Sequence, residues 1–159
     1  MIYATVQDMI DRFGEPEMIQ LTDAADQVEV KAARIQLKLD DAHALADGHL
    51  GRVYVLPLDG CAKPRVGGWD YVAPPQLTRI VCDVARYYLY DDLAPESEVY
   101  RRFKQATTEL QAIADGKARL VCPWGGDPGA LADQGPASGE TWHTFAARQI
   151  GADVDGGYR

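Results

Sequence analysis

The chain has 159 residues, of which 47% are hydrophobic and 25% are charged, a balance typical of one globular domain with its own core. Its formal net charge is -8, so non-specific binding to nucleic acid through the phosphates is not expected. No uninterrupted apolar run approaches the ~18 to 20 residues that would span a bilayer, which argues against a membrane protein.

Two short helices are predicted near the N-terminus. Thr5 followed three residues later by Asp8 is typical of a helix N-cap, and Gly14 can supply the left-handed residue that ends a helix. Pro16 favours the first turn of a second short helix, which continues through Leu21.

A long helix is predicted over residues 23–50. Thr22 and Asp23 are candidates for its cap, and Gly48 and Gly51 mark its end. The apolar residues in this segment are separated by steps of three and four, which places them along one stripe of a helix. They are Val28, Ala32, Ile35, Leu39, Ala42 and Ala46.

The segment from residue 51 to residue 75 changes character. Strand-like runs at residues 53–57 and 69–72 flank glycine-rich turns, which predicts an irregular hairpin or a long loop. Pro57 and Pro64 argue against central strands. Because long loops are uncommon in compact helical domains, this segment is more often functional than idle.

Two further helices are predicted after this segment. Pro74 and Pro75 can open the first, whose apolar face contains Leu77, Val81, Val84 and Tyr88. Pro95 with acidic residues in the following turn opens the second, which ends near Gly116 and carries Val99, Phe103, Ala106, Leu110 and Ile113. The fold class that follows is mainly α, a small helical bundle with a long loop or irregular hairpin.

A domain boundary is predicted after residue 122. Residues 1–122 form the helical core, whereas the Gly/Pro-rich residues 123–159 predict an extended C-terminal arm. A free disordered tail usually lacks large apolar residues, so we expect this arm to order on a partner surface. The arm residues assigned to that contact are Trp124, Trp142, Phe145, Arg148, Ile150 and Tyr158.

The sequence offers little that could support catalysis. The spacings of common nucleophile, phosphate and zinc sites are absent. Asp40, His43 and Asp47 share a predicted helix face and could offer ligands to a metal, but a solvated charged face is the simpler interpretation. We therefore expect no catalytic residue, no metal and no cofactor.

The cysteines are odd in number and widely spaced, and no signal-peptide pattern precedes Tyr3. We predict that Cys61, Cys82 and Cys122 form no disulfide framework, which fits a reducing cytoplasm. Cys82 falls inside a predicted helix, where a partly buried structural thiol is expected rather than a nucleophile.

Aromatic residues cluster on the helix that follows the loop. Tyr87, Tyr88 and Tyr90 are too close in sequence for all of them to point into one core. They are either ordinary amphipathic tyrosines or part of a subunit interface, where tyrosine and arginine are enriched. The interface hypothesis assigns Arg86, Tyr87, Tyr90, Arg101 and Arg102 to that surface.

An ordered series of short motifs resembles one protein family. The series includes Arg12-Phe13-Gly14, Leu21-Thr22-Asp23, Ala46-Asp47-Gly48-His49-Leu50-Gly51, Leu56-Pro57-Leu58, Asp83-Val84-Ala85-Arg86-Tyr87-Tyr88-Leu89-Tyr90 and Tyr100-Arg101-Arg102-Phe103. Taken together, these motifs resemble the Mu-like bacteriophage head-tail connector (adaptor) family over nearly all of residues 1–121.

The resemblance implies a structural virion protein that is not an enzyme. Such an adaptor is made in the host bacterial cytoplasm and forms a homo-oligomeric ring, a dodecamer, under the portal protein. The ring continues the channel for genomic DNA to the tail and contacts the next neck or tail-completion protein, for which Trp69 and Tyr71 in the loop are the candidate residues. The alternative is a DNA-binding or packaging accessory protein that uses Arg79 and Arg86 on a recognition helix.

Overall fold

The computed structural model describes residues 1–23, 25–90 and 97–132. About half of these residues are helical, consistent with the mainly α class predicted. The elements follow in chain order as α1 (Val6–Phe13), α2 (Glu15–Thr22), α3 (Ala32–Leu50), β1 (Cys61–Arg65), β2 (Gly68–Val72), α4 (Pro75–Leu89) and α5 (Glu98–Ala114).

The predicted start of α1 is confirmed. The Thr5 hydroxyl accepts a hydrogen bond from the backbone N–H of Asp8, and the Asp8 carboxylate accepts one from the backbone N–H of Thr5. This reciprocal capping box satisfies two donors that the first turn of a helix cannot pair internally. Gly14 then ends α1 with a positive φ of 87°, as its lack of a side chain allows.

The prediction that the long helix begins at residue 23 is wrong, because α3 begins at Ala32. The Asp23 carboxylate accepts hydrogen bonds from the backbone N–H groups of Val28 and Glu29, and the Thr22 hydroxyl accepts one from that of Lys31. Asp and Thr side chains thus satisfy backbone donors in a loop instead of capping a helix. Val28 lies in this loop and is exposed, outside the stripe to which it was assigned.

Helix α4 lies at the centre of the core. It packs against both α3 and α5, which also contact each other. Helix α1 contacts α3 and α4, and α2 contacts α1 and α3. The fully buried side chains come from all three long helices and include Ile35 and Leu39 of α3, Leu77, Ile80 and Val81 of α4, and Leu110 and Ile113 of α5. Within the described ranges, no helix is both long and apolar enough to cross a membrane.

The segment between α3 and α4 contains a regular antiparallel hairpin. Its register pairs Cys61 with Val72 and Arg65 with Gly68, which leaves a two-residue turn at Val66 and Gly67. The second predicted strand is therefore confirmed, but the first lies at Cys61–Arg65 and not at residues 53–57. Pro64 is accommodated because a two-stranded ribbon consists only of edge strands.

The predicted arm is not separate from the core at its start. The backbone N–H groups of Val55 and Gly60 donate to the carbonyls of Ala130 and Pro128, and that of Ala132 donates to the carbonyl of Val53, each at 2.8 Å. Residues 128–132 therefore lie against the loop that precedes the hairpin, and the division of the chain after residue 122 stays a prediction. Residues 133–159 lie outside the described part of the chain.

A disulfide joins the hairpin to the segment after α5, contrary to the prediction. Cys61, the first residue of β1, is bonded to Cys122, and both residues are buried. Sequence spacing gave no indication of this bond, because the two cysteines are 61 positions apart and meet only when the chain folds back over the loop.

Candidate interaction surfaces

Of the predicted group Asp40, His43 and Asp47, the last two hold the N-terminal segment in place, whereas the Asp40 carboxylate accepts a hydrogen bond from Gln36. The backbone N–H of Ala4 donates to Nε2 of His43 at 3.1 Å, and the Tyr3 hydroxyl donates to Asp47 at 2.5 Å. The Tyr3 and His43 rings also meet edge to face, with centroids 5.4 Å apart. Among the residues that the structure describes, no group of three or more His, Cys, Asp or Glu side chains could hold a metal ion.

His43 should make stability depend on pH. Burial lowers its pKa, Asp40 and Asp47 oppose that effect, and the N-terminal ammonium group adds to it. The unfolded chain therefore binds this proton more readily, so the contribution of His43 is complete above the ordinary histidine pKa of about 6.5 and is lost as pH falls below it. A protonated His43 can no longer accept the hydrogen bond from the Ala4 N–H. Between about pH 7 and about pH 5, the contribution of His43 to the free energy of unfolding, measured with urea, should therefore fall by about 1 kcal/mol.

The matched control for this prediction is His43→Gln. Its side-chain carbonyl can still accept from the Ala4 N–H but does not titrate, while the remaining histidines are unchanged. The difference in unfolding free energy between wild type and His43→Gln should therefore vary over this pH interval. A constant difference would contradict the assignment.

Cys82 is a buried free thiol on α4. Burial raises its pKa to about 12, because the thiolate would lose its hydration in the core. The reactive thiolate is thus negligible near neutral pH, in keeping with the structural thiol expected from the sequence.

The tyrosines at the end of α4 pack largely against α5. The Tyr87 ring stacks on that of Phe103 with centroids 4.0 Å apart and an interplanar angle of 14°, and the ring of Tyr100 lies 6.0 Å from that of Tyr87. Tyr88 also approaches Phe103, at 6.1 Å between centroids. Tyr87 and Tyr88 remain partly exposed, so this aromatic cluster joins two helices and reaches the surface.

Arg86 and Tyr90 both contact Glu17 of α2. The Arg86 guanidinium donates to both carboxylate oxygens at 2.6 and 2.8 Å, and the Tyr90 hydroxyl donates to one of them at 3.1 Å. Arg86 also lies 4.5 Å from the centroid of the Phe13 ring. Sequence reasoning did not identify Glu17 as the partner, since nothing local connects it to residues so distant along the chain.

Arg101 and Arg102 lie exposed on α5. Arg102 pairs with Glu98 one turn earlier, at 2.6 Å. The structure thus divides the predicted interface residues into two groups. Arg86, Tyr87 and Tyr90 make contacts within the chain, while Arg101 and Arg102 extend from its surface, and their place in a subunit interface stays a prediction.

One face of the hairpin exposes large apolar side chains. Trp69 and Tyr71 are 59% and 67% exposed, and their two-residue spacing places them on the same face of β2. Val66 in the turn is fully exposed, and Ile2 of the N-terminal segment is 69% exposed. Tyr71 and Ile2 line one shallow groove of about 530 Å³. We call Ile2, Val66, Trp69 and Tyr71 the hairpin surface.

The described part of the predicted arm contributes one further aromatic residue. Trp124 is partly exposed, and the ammonium group of Lys63 on β1 lies 5.7 Å from its ring centroid, within cation–π range. The remaining predicted arm residues lie outside the described part of the chain, namely Trp142, Phe145, Arg148, Ile150 and Tyr158.

Comparison with known proteins places this architecture in a phage family. Residues 3–135, which include every helix and strand described above, match the family described as Bacteriophage Mu, Gp36. The chain is 26% identical over 120 residues to the Mu-like prophage FluMu protein gp36 of Haemophilus influenzae, a match covering 76% of each protein. It is 32% identical over 119 residues to Gene product J of Escherichia phage Mu, covering 74% of each. The chain therefore belongs to the bacteriophage Mu Gp36 family of Mu-like phage proteins.

Proposed function

We propose that this protein is a structural component of the virion, a head-tail adaptor that forms a ring under the portal and continues the DNA channel to the tail. The hairpin surface is the observation that carries this proposal. Its residues project from a compact helical core that already buries its own apolar stripes, so they are available to a partner. Membership of a Mu-like phage protein family supports a place in the particle.

The proposed partners divide between separate regions of the chain. The hairpin surface contacts the next neck or tail-completion protein, and the C-terminal arm contacts the portal. Copies of the chain contact one another in a dodecameric ring. The net charge of -8 supports a channel role, because acidic walls repel phosphates and let genomic DNA pass without adhering. The role requires no enzyme activity, cofactor or membrane.

Helix α4 is poorly placed for the alternative role of a DNA recognition helix. Arg86 is bound to Glu17, and Arg79 lies 2.6 Å from Glu109 of α5 and 3.5 Å from Asp83. Carboxylates of the same chain thus already engage both guanidinium groups. A recognition helix must also enter a DNA groove, whereas α4 is flanked by α3 and α5.

The double substitution Trp69→Ala and Tyr71→Ala should remove binding to the next neck protein. Both side chains are mainly exposed, so the free energy of unfolding should change by less than about 0.5 kcal/mol. Aromatic residues at the centre of an interface each contribute about 2 kcal/mol or more, so losing two should weaken binding at least about a thousandfold. Calorimetric titration of the purified neck protein from the same phage measures this change.

The matched control is Leu37→Ala, which truncates an exposed apolar side chain on α3, away from the hairpin. We expect it to bind the neck protein as wild type does. Portal binding should survive in both variants, because the arm is unchanged. Neck binding by the double variant at wild-type affinity would refute the role of the hairpin surface.

A further inference from the structure

A cleft between α1, α4 and α5 brings three arginine side chains together on an acidic protein. It has a volume of about 380 Å³, and α3 contributes nothing to its wall. Its lining side chains are Arg12 and Phe13 from α1, Arg79 and Asp83 from α4, and Arg102 and Gln105 from α5. We call this the arginine cleft. Three cations converge here in a chain whose net charge is -8.

Among the residues that the structure describes, Asp83 is the one carboxylate that lines the cleft, and it is only 6% exposed. Arg79 lies 3.5 Å from it, while Arg12 and Arg102 act on it electrostatically. Burial raises the pKa of Asp83, and the surrounding arginines oppose that effect. Asp83 alone cannot pair with all three guanidinium groups, and two of them are paired with carboxylates outside the lining.

The three guanidinium groups are not equally paired. Arg79 and Arg102 are also paired with Glu109 and Glu98, at 2.6 Å each. Arg12 is exposed and makes no ion pair with any residue in the described ranges. An incoming carboxylate can therefore be held between Arg12 and the exposed side of Arg102. Guanidinium groups are well suited to this, because they bind carboxylates through two parallel hydrogen bonds.

The charges around the cleft favour a protein carboxylate over a DNA phosphate. Glu98 and Glu109 flank it, and they would repel the continuous phosphate row of a duplex while leaving room for an isolated side chain. The chain itself carries suitable groups on α3, where Asp40 and Asp41 are adjacent and exposed. Because α3 does not line the cleft, one copy can present these carboxylates while its own cleft receives those of another.

We propose that the arginine cleft binds the acidic face of α3, centred on Asp40 and Asp41, of a second copy of this chain. The two surfaces differ, so the contact is heterologous and runs head to tail, which is the geometry that generates rings. This inference rests on the proposed adaptor function and deepens it, because it names the contact between ring neighbours.

Sedimentation velocity on the full chain tests the contact. At low salt the wild type should self-associate, and raising the salt concentration should weaken that association, because exposed charges are screened. Arg12→Glu with Arg102→Glu should raise the dissociation constant at least about tenfold, and so should Asp40→Arg with Asp41→Arg. A chain that carries all four substitutions restores opposite charges and should regain most of the lost affinity.

Two further variants separate this effect from misfolding and from a general change in charge. Arg12→Gln with Arg102→Gln removes the cations without placing new carboxylates beside Asp83, and it should weaken association while its thermal melting stays close to wild type. Arg65→Glu with Lys117→Glu makes the same net charge change at exposed cations outside the cleft. It should associate as wild type does.

Three results would overturn the proposal. In the first, the wild type stays monomeric at about millimolar concentration in low salt. In the second, both cleft variants associate as the wild type does. In the third, the cleft variants lose binding to duplex DNA but keep their self-association. Failure of the adaptor function is distinguishable. Oligomers that depend on the cleft but never stack on the portal would refute the adaptor function and support the contact. Rings of the Arg12→Glu, Arg102→Glu variant that assemble on the portal would support the adaptor function and refute the contact.

Discussion

Replacing Cys61 and Cys122 together by alanine will lower the free energy of unfolding by about 4 kcal/mol. The disulfide closes a loop between residues 61 positions apart, and the loss of unfolded-chain entropy on closing a loop of that length corresponds to about 4 kcal/mol. The bond also ties the hairpin to the segment after α5. Urea unfolding of the variant and of the oxidised wild type measures the difference.

Reduction provides the control for this prediction. A reductant should destabilise the wild type by a similar amount and leave the double alanine variant unchanged, since Cys82 is a buried free thiol that forms no bond to reduce. Thiol titration of the unfolded samples establishes the redox state in each case. Equal stability of verified oxidised and reduced wild type would contradict the importance of the bond.

Glu17→Ala should lower the free energy of unfolding by about 3 kcal/mol. Glu17 and Arg86 are only 22% and 15% exposed, so removing the carboxylate leaves a poorly hydrated guanidinium group without its partner. The substitution also removes the acceptor of the Tyr90 hydroxyl. The effect is large because one carboxylate joins α2 to the end of α4.

Glu98→Ala is the matched control, because it breaks an ion pair of the same length between exposed residues. Its partner Arg102 stays hydrated, so the cost should be less than about 1 kcal/mol. Arg86→Met combined with Glu17→Met should recover part of the loss, since it leaves no uncompensated charge. Equal costs for Glu17→Ala and Glu98→Ala, measured by urea unfolding, would contradict the role assigned to the buried pair.

Local sequence signals were sufficient to predict most of the helices, but not always the residues at which they begin and end. The capping box at Thr5 and the apolar periodicity of α4 and α5 are local properties, and the structure confirms them. Thr22 and Asp23 do not cap α3, because their side chains accept hydrogen bonds from the backbone of the loop that precedes it. The tendency of Thr and Asp side chains to accept hydrogen bonds from nearby backbone N–H groups can be inferred from the sequence, but it does not determine which of those groups they bond to.

The contacts that lie far apart in sequence could not be predicted. The disulfide, the Glu17 pair and the arginine cleft each join segments whose proximity depends on the whole packing arrangement. The outward-facing Trp69 and Tyr71, by contrast, lie in a long segment already expected to carry function, and the structure leaves both exposed. The glycine content of the C-terminal segment likewise could not place residues 128–132, because composition does not reveal backbone hydrogen bonds to the loop.

Electron microscopy of the purified protein, alone and mixed with the portal protein of the same phage, tests the adaptor role most directly. We expect a ring of this protein stacked coaxially on the portal ring, with an open channel through both and the hairpins on the surface that faces away from the portal. Both proteins should be folded and present at concentrations well above micromolar. Portal rings that carry no additional density under these conditions would contradict the adaptor role.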